Sequence, residues 1–196
     1  MCKRCNWGTK NELMLRYHDE EWGVPLHDDN KLFEFFVLEG FQAGLSWQIV
    51  LNKRENFRKA FDNFNPQKVA AYNEDKIQQL IGDKLIIRNQ QKIRACVNNA
   101  QRFLEIQKKY GSFDAYIWKF VDHQPIQNTF ETLAELPAKT KLSDAISADL
   151  KQHGFKFVGS TVIYAHMQAT GMVNDHLVSC IRYKQVRALA NVSRKN

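Results

Sequence analysis

The sequence predicts an all-α fold, and three observations indicate it. Apolar residues recur every three or four positions in nearly every segment, as on a helix with one buried face. Residues typical of helix starts precede these segments, and glycines follow several of them. No segment alternates apolar and polar residues over the length of a strand. With 196 residues and 44% hydrophobic composition, we expect one domain over residues 1–183 and a loosely held basic tail over 184–196.

The helices are assigned in chain order from their apolar faces and capping residues. The first strong apolar face consists of Leu32, Phe33, Phe36 and Val37, and the second of Trp47, Val50, Leu51, Phe57 and Phe61. The residues expected to begin helices are Ser46, Asn65, Asn73, Ser112 and Ser143. Those expected to end helices are Gly82, Gly111, Gly154 and Gly171. A long helix should run from Gln90 to Lys109.

The charge of the chain favours an anionic partner. The formal net charge is +7. Basic side chains are in local excess between residues 76 and 102, where Asp83 is the single acidic residue. These basic residues are Lys76, Lys84, Arg88, Lys92, Arg94 and Arg102. They suit a phosphate backbone, or they form a solvated helix face. The segment 77–93 reads as two helices joined by a turn, an arrangement that helix-hairpin-helix DNA binders use, although GDKLIIRNQQKI carries one glycine only.

No apolar run approaches the roughly 20 residues that a membrane-spanning helix needs, and the N-terminus lacks the apolar core of a signal peptide. We therefore expect a cytoplasmic protein without structural disulfides. Cys180 follows His176 by four residues, so on a helix both could bind one metal ion. Cys5 and His18 are the best candidates for the other two ligands, and four protein ligands would make a zinc ion structural.

Two alternatives to this zinc site stay open. Cys2 forms CKRC with Cys5 and could replace or supplement it as a ligand. The histidines could instead be surface or capping residues and the cysteines small core residues. Cys96 is assigned to the core, because it lies on the apolar face of the long helix.

Aromatic residues cluster near the N-terminus in a segment without clear periodicity. Trp7, Tyr17 and Trp22 offer the flat faces that a base-binding pocket uses for stacking, although each could simply be a packing residue. Glu39 follows the apolar run FFVL at the end of a helix built for burial, where a carboxylate is costly without a partner. It could accept a hydrogen bond from the amine of a base and attract positive charge, or pair with a nearby Lys or Arg.

Ordered motifs cover nearly the whole chain: RCNW at 4–7, YHDEEWGVP at 17–25, LEGFQAGLSW at 38–47, VLNKRENFR at 50–58, KFVGSTVIYAHMQATG at 156–171 and VNDH at 173–176. Together they closely resemble the DNA-3-methyladenine glycosylase I family of bacterial repair enzymes. The resemblance implies a helix-hairpin-helix glycosylase fold with one structural zinc ion that joins the terminal segments. The zinc ligands of the family fall on Cys5, His18, His176 and Cys180.

The resemblance also implies a function and a set of site residues. The expected enzyme is monomeric, binds double-stranded DNA, and hydrolyses the N-glycosidic bond of a flipped 3-methyladenine without lyase activity. Glu39 would contact the base, Tyr17 and Trp47 would stack on it, and Trp7 and Trp22 would shape the pocket. By the same resemblance, Gln42, Gly44 and Leu45 would contact DNA, with Leu45 filling the gap left by the flipped nucleotide. The basic residues Lys84, Arg88 and Lys92 of the hairpin are assigned as further DNA contacts from their charge.

This sequence departs from the family pattern at Cys2, at the apolar Phe41 and in the glycine-poor hairpin. Two other classes of protein are kept as alternatives. One is a DNA-binding zinc module without catalysis, and the other is a hydrolase whose zinc ion keeps an open position. The first would bind DNA without releasing a base, whereas the second would have fewer than four protein ligands.

Overall fold

The computed structural model describes residues 3–192, and over this range it is built almost entirely of helices. In chain order the α-helices are α1 (Glu12–Glu20), α2 (Asp29–Gln42), α3 (Trp47–Ala60), α4 (Pro66–Ala70), α5 (Glu74–Gly82), α6 (Gln90–Tyr110), α7 (Phe113–Trp118), α8 (Lys141–Gln152), α9 (Ser160–Ala169) and α10 (Ile181–Val192). The 3-10 segments are Asn6–Thr9, Asp62–Phe64, Lys119–Val121 and Leu133–Glu135. The predicted all-α class is confirmed.

Extended structure is confined, within the described residues, to one short parallel pair. The strands β1 (Ile126–Gln127) and β2 (Val173–Asn174) align Ile126 with Val173 and Gln127 with Asn174. This pair fixes the segment after α9, which carries the predicted ligands His176 and Cys180. A strand of two residues is too short to show alternation in the sequence.

Most predicted helix ends are found where the sequence places them. The side chains of Asn65, Asn73 and Ser112 accept hydrogen bonds from backbone amides of α4, α5 and α7. Gly111 ends α6 with φ 89°, a backbone conformation that favours glycine.

One of the expected caps differs from the prediction, and another lacks the expected side-chain bond. Ser46 precedes α3 without a side-chain capping bond. Ser143 lies within the first turn of α8, where it exchanges hydrogen bonds with the true cap Thr140. Gly82 is the last residue of α5, as predicted, and Asp83 follows it as the C-cap. Spacing alone could not separate a cap from its partner three residues away.

The core forms around α2, which contacts α3, α6, α7 and α9. The segment FEFFVLEGF lies within α2, and its buried side chains project from several sides of the helix. Phe33 packs edge-on against Phe103 of α6, and Phe103 stacks on Phe113 of α7 at 4.1 Å between ring centroids. Removing a buried phenylalanine of this kind costs about 3–5 kcal/mol. The core therefore holds α2, and with it Glu39, in a fixed position.

The C-terminal segment differs from the expected loosely held tail that begins at residue 184. Helix α10 crosses that position and buries Tyr183 and Val186. Residues 193–196 and Cys2, the alternative metal ligand, lie outside the described residues. Across residues 3–192 no helix is both long enough and apolar enough to cross a membrane.

His166 is a buried histidine whose replacement should stabilise the fold. It is 1% exposed, and neither ring nitrogen has a hydrogen-bond partner among the described residues. Burial lowers its pKa from 6.5 to about 3. The unfolded chain therefore binds a proton that the folded chain does not, so stability falls as pH decreases from about 6.5 toward 3, with a slope of up to about 1.4 kcal/mol per pH unit.

We expect His166→Phe to raise the free energy of unfolding by about 1 kcal/mol at neutral pH and by more at acidic pH. Phenylalanine removes the unsatisfied nitrogens and can still pack against Phe36, whose ring lies 5.6 Å away. Urea unfolding at about pH 5 and about pH 7.5 measures both effects. The control is His27→Phe, at an exposed histidine paired with Asp114. An unchanged pH dependence in the His166 variant would contradict the prediction.

Candidate functional site

Four predicted metal ligands from opposite ends of the described chain meet in one buried cluster. The ligand atoms of Cys5, His18, His176 and Cys180 all lie within 4.8 Å of one another. The Cys180 sulfur is 3.5 Å from His18 Nε2 and 3.7 Å from His176 Nδ1, and the Cys5 sulfur is 3.9 Å from His176 Nδ1. A tetrahedral site with sulfur at about 2.3 Å and nitrogen at about 2.0 Å from the ion has ligand separations in this range.

The outer ring nitrogens of both histidines are already engaged. His18 Nδ1 donates to the Asp19 carboxylate at 2.8 Å, and His176 Nε2 donates to the Trp22 carbonyl at 2.9 Å. These bonds leave His18 Nε2 and His176 Nδ1 as lone-pair donors that face the cysteines, as metal-binding histidines require. The contact with the Cys5 thiol, followed by those with His176 and His18, lowers the pKa of Cys180. The four side chains therefore fit a metal ion.

The chain packs closely around this cluster. A Cβ atom added to Gly8 would lie 2.6 Å from the His18 side chain, so only glycine lets the 3-10 segment approach α1 this closely. Arg4 donates to Asp19, which in turn holds His18. Cys96 lies apart from the cluster, buried in the core beside Val97 as the sequence predicts.

A pocket of about 320 Å³ opens beside the metal cluster. Its lining includes all the aromatic residues that the sequence assigns to base binding, together with Glu39: Trp7, Tyr17, Trp22 and Trp47. Trp7 meets Trp22 edge-on at 4.9 Å between ring centroids, and Tyr17 is 5.2 Å from Trp47. Planar aromatic faces of this kind hold a flat heterocycle by stacking.

The aromatic residues of the pocket also contact the metal cluster. Trp7 packs edge-on against His18 at 5.2 Å, and Trp22 packs edge-on against His176 at 4.7 Å. The Trp22 carbonyl accepts a hydrogen bond from the same histidine. The cluster therefore supports two walls of the pocket, although none of its four side chains lines the pocket itself.

Glu39 is a buried carboxylate without an ionic partner in the described part of the chain. It is 4% exposed, Oε2 has no hydrogen-bond partner there, and burial raises its pKa to about 8. Glu34, five residues earlier on α2, is equally buried but bonds to Arg54 and Arg58. The ion-pair alternative considered for Glu39 thus describes Glu34 instead. An unpaired buried carboxylate in a pocket indicates a ligand-binding group.

Two further polar groups of the pocket retain their protons. Burial, followed by the charge of Glu39, raises the pKa of Tyr17 well above its ordinary value, so the phenol stays neutral. Trp47 Nε1 is buried without a hydrogen-bond partner among residues 3–192. The pocket thus combines the Glu39 carboxyl group, which can accept hydrogen bonds, with neutral donors on the aromatic rings of Tyr17 and Trp47.

The predicted DNA-probing loop borders the pocket. It follows the end of α2, with Gly44 at φ 83° and Leu45 39% exposed. A smaller cavity of about 190 Å³ is lined by Gly44 and Leu45 and also by Glu39 and Gln42, which line the larger pocket. An exposed leucine next to a base-sized pocket fits the role of a wedge that the resemblance implies.

The hairpin between α5 and α6 presents two of its three predicted DNA contacts to solvent. Lys84 and Arg88 are exposed, as is the apolar Leu85 between them. Lys92 differs, because it is 8% exposed and its ammonium donates to the carbonyls of Phe41 at 3.0 Å and Ala43 at 2.6 Å. A cation there is favourable because helix α2 ends with free carbonyls. Lys92 thus anchors the end of α2 and the start of the loop that follows it, instead of facing solvent.

Several pocket residues were missed by the sequence analysis: Lys10, Met14, Ser46, Gln48, Leu136, Ala165 and Gln168. Ala165 and Gln168 lie three residues apart on α9, which is the spacing of one helix face. That pattern was visible in the sequence, but nothing in it showed that this face turns toward Glu39.

The chain is similar to known proteins over most of its length. The sequence profile of the methyladenine glycosylase family matches residues 7–183. The DNA-3-methyladenine glycosylase 1 of Escherichia coli (strain K12) is 49% identical over 181 residues, or 92% of this chain and 97% of that protein.

Solved structures of similar proteins have the same fold. A crystal structure of a 3-methyladenine DNA glycosylase I is similar with a TM-score of 0.89 and 46% identity, covering 91% of this chain and 98% of the other. The structure of the Staphylococcus aureus enzyme, solved to explain 3-methyladenine recognition, is similar with a TM-score of 0.88 and 37% identity. The match covers 91% of this chain and 95% of the other. From the match over residues 7–183 and these relatives, the chain belongs to the methyladenine glycosylase family.

Proposed function

We propose that this protein removes 3-methyladenine from double-stranded DNA by hydrolysing the bond between base and sugar. The predicted enzyme class, a DNA N-glycosylase for 3-methyladenine, is confirmed by the family match and by the Escherichia coli relative. The observation that carries the proposal is the unpaired carboxylate of Glu39 inside an aromatic pocket. Such a pocket favours a flat, positively charged ligand over a neutral one.

The positive charge of the damaged base explains why the pocket would select 3-methyladenine over adenine. Methylation at N3 makes the base cationic in DNA, whereas adenine is neutral. A cation placed against Glu39 favours the ionised carboxylate and lowers its pKa, so binding energy depends on the positive charge. Neutral adenine would leave a buried carboxyl group without this compensation. The pocket thereby selects the methylated base after the nucleotide has been flipped.

The same charge explains how the bond breaks. The electron pair of the C1′–N9 bond leaves with the base, which becomes neutral, and the oxygen of a water molecule bonds to C1′ and loses a proton. Glu39 and the aromatic rings hold the base while this occurs. Lys10 is exposed at the pocket, whereas Schiff-base lysines are activated by burial or a neighbouring cation. Water is therefore the proposed nucleophile, and lyase activity is not expected.

DNA binding is assigned to the loop and the hairpin. Leu45 would fill the space left by the flipped nucleotide, supported by Gln42 and Gly44. Lys84 and Arg88 would contact phosphates, since exposed cations on one hairpin suit the DNA backbone. Lys92 would act indirectly by anchoring the end of α2.

The metal ion is proposed to be one structural Zn²⁺, bound by Cys5, His18, His176 and Cys180. Two thiolates and two imidazoles are a preferred ligand set for zinc, and four protein ligands leave no open position for a reacting water. The ion would hold Trp7 and Trp22 in place through the two histidines. This arrangement argues against the alternative of a hydrolase that uses zinc for catalysis.

Release of free bases from N-methylated duplex DNA tests the proposed function. We expect the purified chain to release 3-methyladenine, and Trp47→Ala to reduce the rate at least about tenfold through loss of stacking. The matched control is Tyr110→Ala, which removes a half-buried aromatic ring at the end of α6, away from the pocket. Chromatography of the released bases provides the measurement. If the chain binds this DNA yet frees no base, it is a noncatalytic DNA-binding module.

A further inference from the structure

Gln168 on α9 lines the base pocket, and its amide is held by a buried aspartate. Its Nε2 donates to Asp175 Oδ2 at 2.8 Å, and Asp175 is 1% exposed. The same oxygen accepts the hydroxyl of Tyr164 at 2.6 Å, and Oδ1 accepts the Asn128 amide at 2.7 Å. Three neutral donors therefore converge on one buried carboxylate.

This arrangement sets which end of the Gln168 amide is engaged. A carboxylate only accepts hydrogen bonds, so the amide must turn its NH₂ group to Asp175. Its carbonyl Oε1 is then the remaining polar atom, and it forms no hydrogen bond within residues 3–192. Because Gln168 lines the pocket, this oxygen is available there as a second acceptor besides Glu39. Reversing the amide would bring two oxygens together and leave the NH₂ group unpaired.

We propose that Gln168 is a specificity-determining residue that accepts a hydrogen bond from the amino group of the base, with Asp175 as the residue that orients it. This inference rests on the proposed function. Adenine carries an amino group with two hydrogens at position 6, where guanine carries an acceptor oxygen. Glu39 and Gln168 would accept one hydrogen each. Guanine methylated at N3 has the same positive charge but would place its oxygen against an acceptor.

The test exchanges the hydrogen-bonding character of the aspartate. In Asp175→Asn, the Asn128 amide still requires an oxygen, so the new NH₂ group must face Tyr164 and Gln168. The Tyr164 hydroxyl can accept, but the Gln168 amide must reverse to offer its oxygen. Its NH₂ group would then be free to face the pocket. We expect the ratio of 3-methyladenine to 3-methylguanine release to fall at least about tenfold.

Two further variants separate recognition from folding. Gln168→Leu removes the acceptor and should lower 3-methyladenine release about tenfold without lowering 3-methylguanine release. Tyr164→Phe removes one contact to Asp175 but leaves its carboxylate, so the ratio should stay as in the parent. The affinities of both free bases, measured by tryptophan fluorescence, should follow the same order. Metal content is measured in each variant, because Asp175 adjoins His176.

The outcomes are distinct. An unchanged ratio in both Asp175→Asn and Gln168→Leu overturns the inference while leaving the proposed function intact. Equal losses for both bases in Gln168→Leu also overturn it, because they indicate a structural role alone. If Asp175→Asn does not fold, Gln168→Leu decides. A parent protein that releases no 3-methyladenine overturns this inference together with the proposed function.

Discussion

Glu39→Gln is expected to lower kcat/KM for 3-methyladenine release on the order of 10²-fold. The substitution keeps the size of the side chain but removes the negative charge that would face the cationic base. A hydrogen bond to a charged group is worth about 1.5–3 kcal/mol, and stabilisation of charge inside a buried site is worth more than in water. Because Glu39 has no ionic partner among the described residues, no other charge replaces it.

The pH dependence gives a second signature of Glu39. Its raised pKa of about 8 means that the free protein holds a neutral carboxyl group at lower pH. The value of kcat/KM reports ionisation in the free enzyme, so it should rise with pH and level off above about 8. The same shift affects stability. Between pH 4.5 and about 8 the folded chain keeps a proton on Glu39 that the unfolded chain has lost, so the free energy of unfolding falls as pH rises through this range.

Glu34→Gln is the matched control, since both glutamates are buried on α2. It should lower the free energy of unfolding, because Arg54 and Arg58 each lose one of their two carboxylate partners. It should leave the pH profile of base release unchanged. Steady-state release of 3-methyladenine between about pH 6 and about pH 9 measures both variants. A Glu39→Gln variant with parental kcat/KM would remove Glu39 from the proposed site.

Loss of the metal cluster is expected to produce the largest effect on stability. His176→Ala removes a ligand and a contact with Trp22, and should lower the free energy of unfolding by about 4 kcal/mol or more. For a chain of this length, that corresponds to a decrease in Tm of about 10 °C. Base binding should weaken in parallel, because Trp7 and Trp22 lose their support. Thermal unfolding and zinc content per chain measure the effect.

Variants at the other cysteines serve as controls. Cys96→Ser changes a buried thiol outside the cluster and should retain one zinc ion per chain. Cys2→Ser tests the alternative ligand that the CKRC motif suggested. In the cobalt-substituted protein, the absorption spectrum should indicate four-coordinate ligation by two sulfurs and two nitrogens. A spectrum with an exchangeable water ligand would support the catalytic-zinc alternative.

Much of the fold was predictable from local sequence. Helix α6 runs from Gln90 to Tyr110 against an expected Gln90 to Lys109, because its apolar spacing and its Asn and Gly ends are short-range signals. The caps Asn65 and Asn73 were found for the same reason. The cap of α8 was missed because Thr140 and Ser143 exchange bonds and either could begin a helix.

The sequence by itself determined the fold class through its helical spacing, and its family motifs predicted the four side chains of the buried cluster and the residues proposed to hold the base. Only the tertiary structure decided that Glu34, not Glu39, forms the ion pair, that Lys92 anchors the end of α2, and that Gln168 faces the pocket from α9. The physical reason is that caps and apolar faces depend on neighbouring residues. The partner of a buried charge or amide depends instead on which distant segment packs against it.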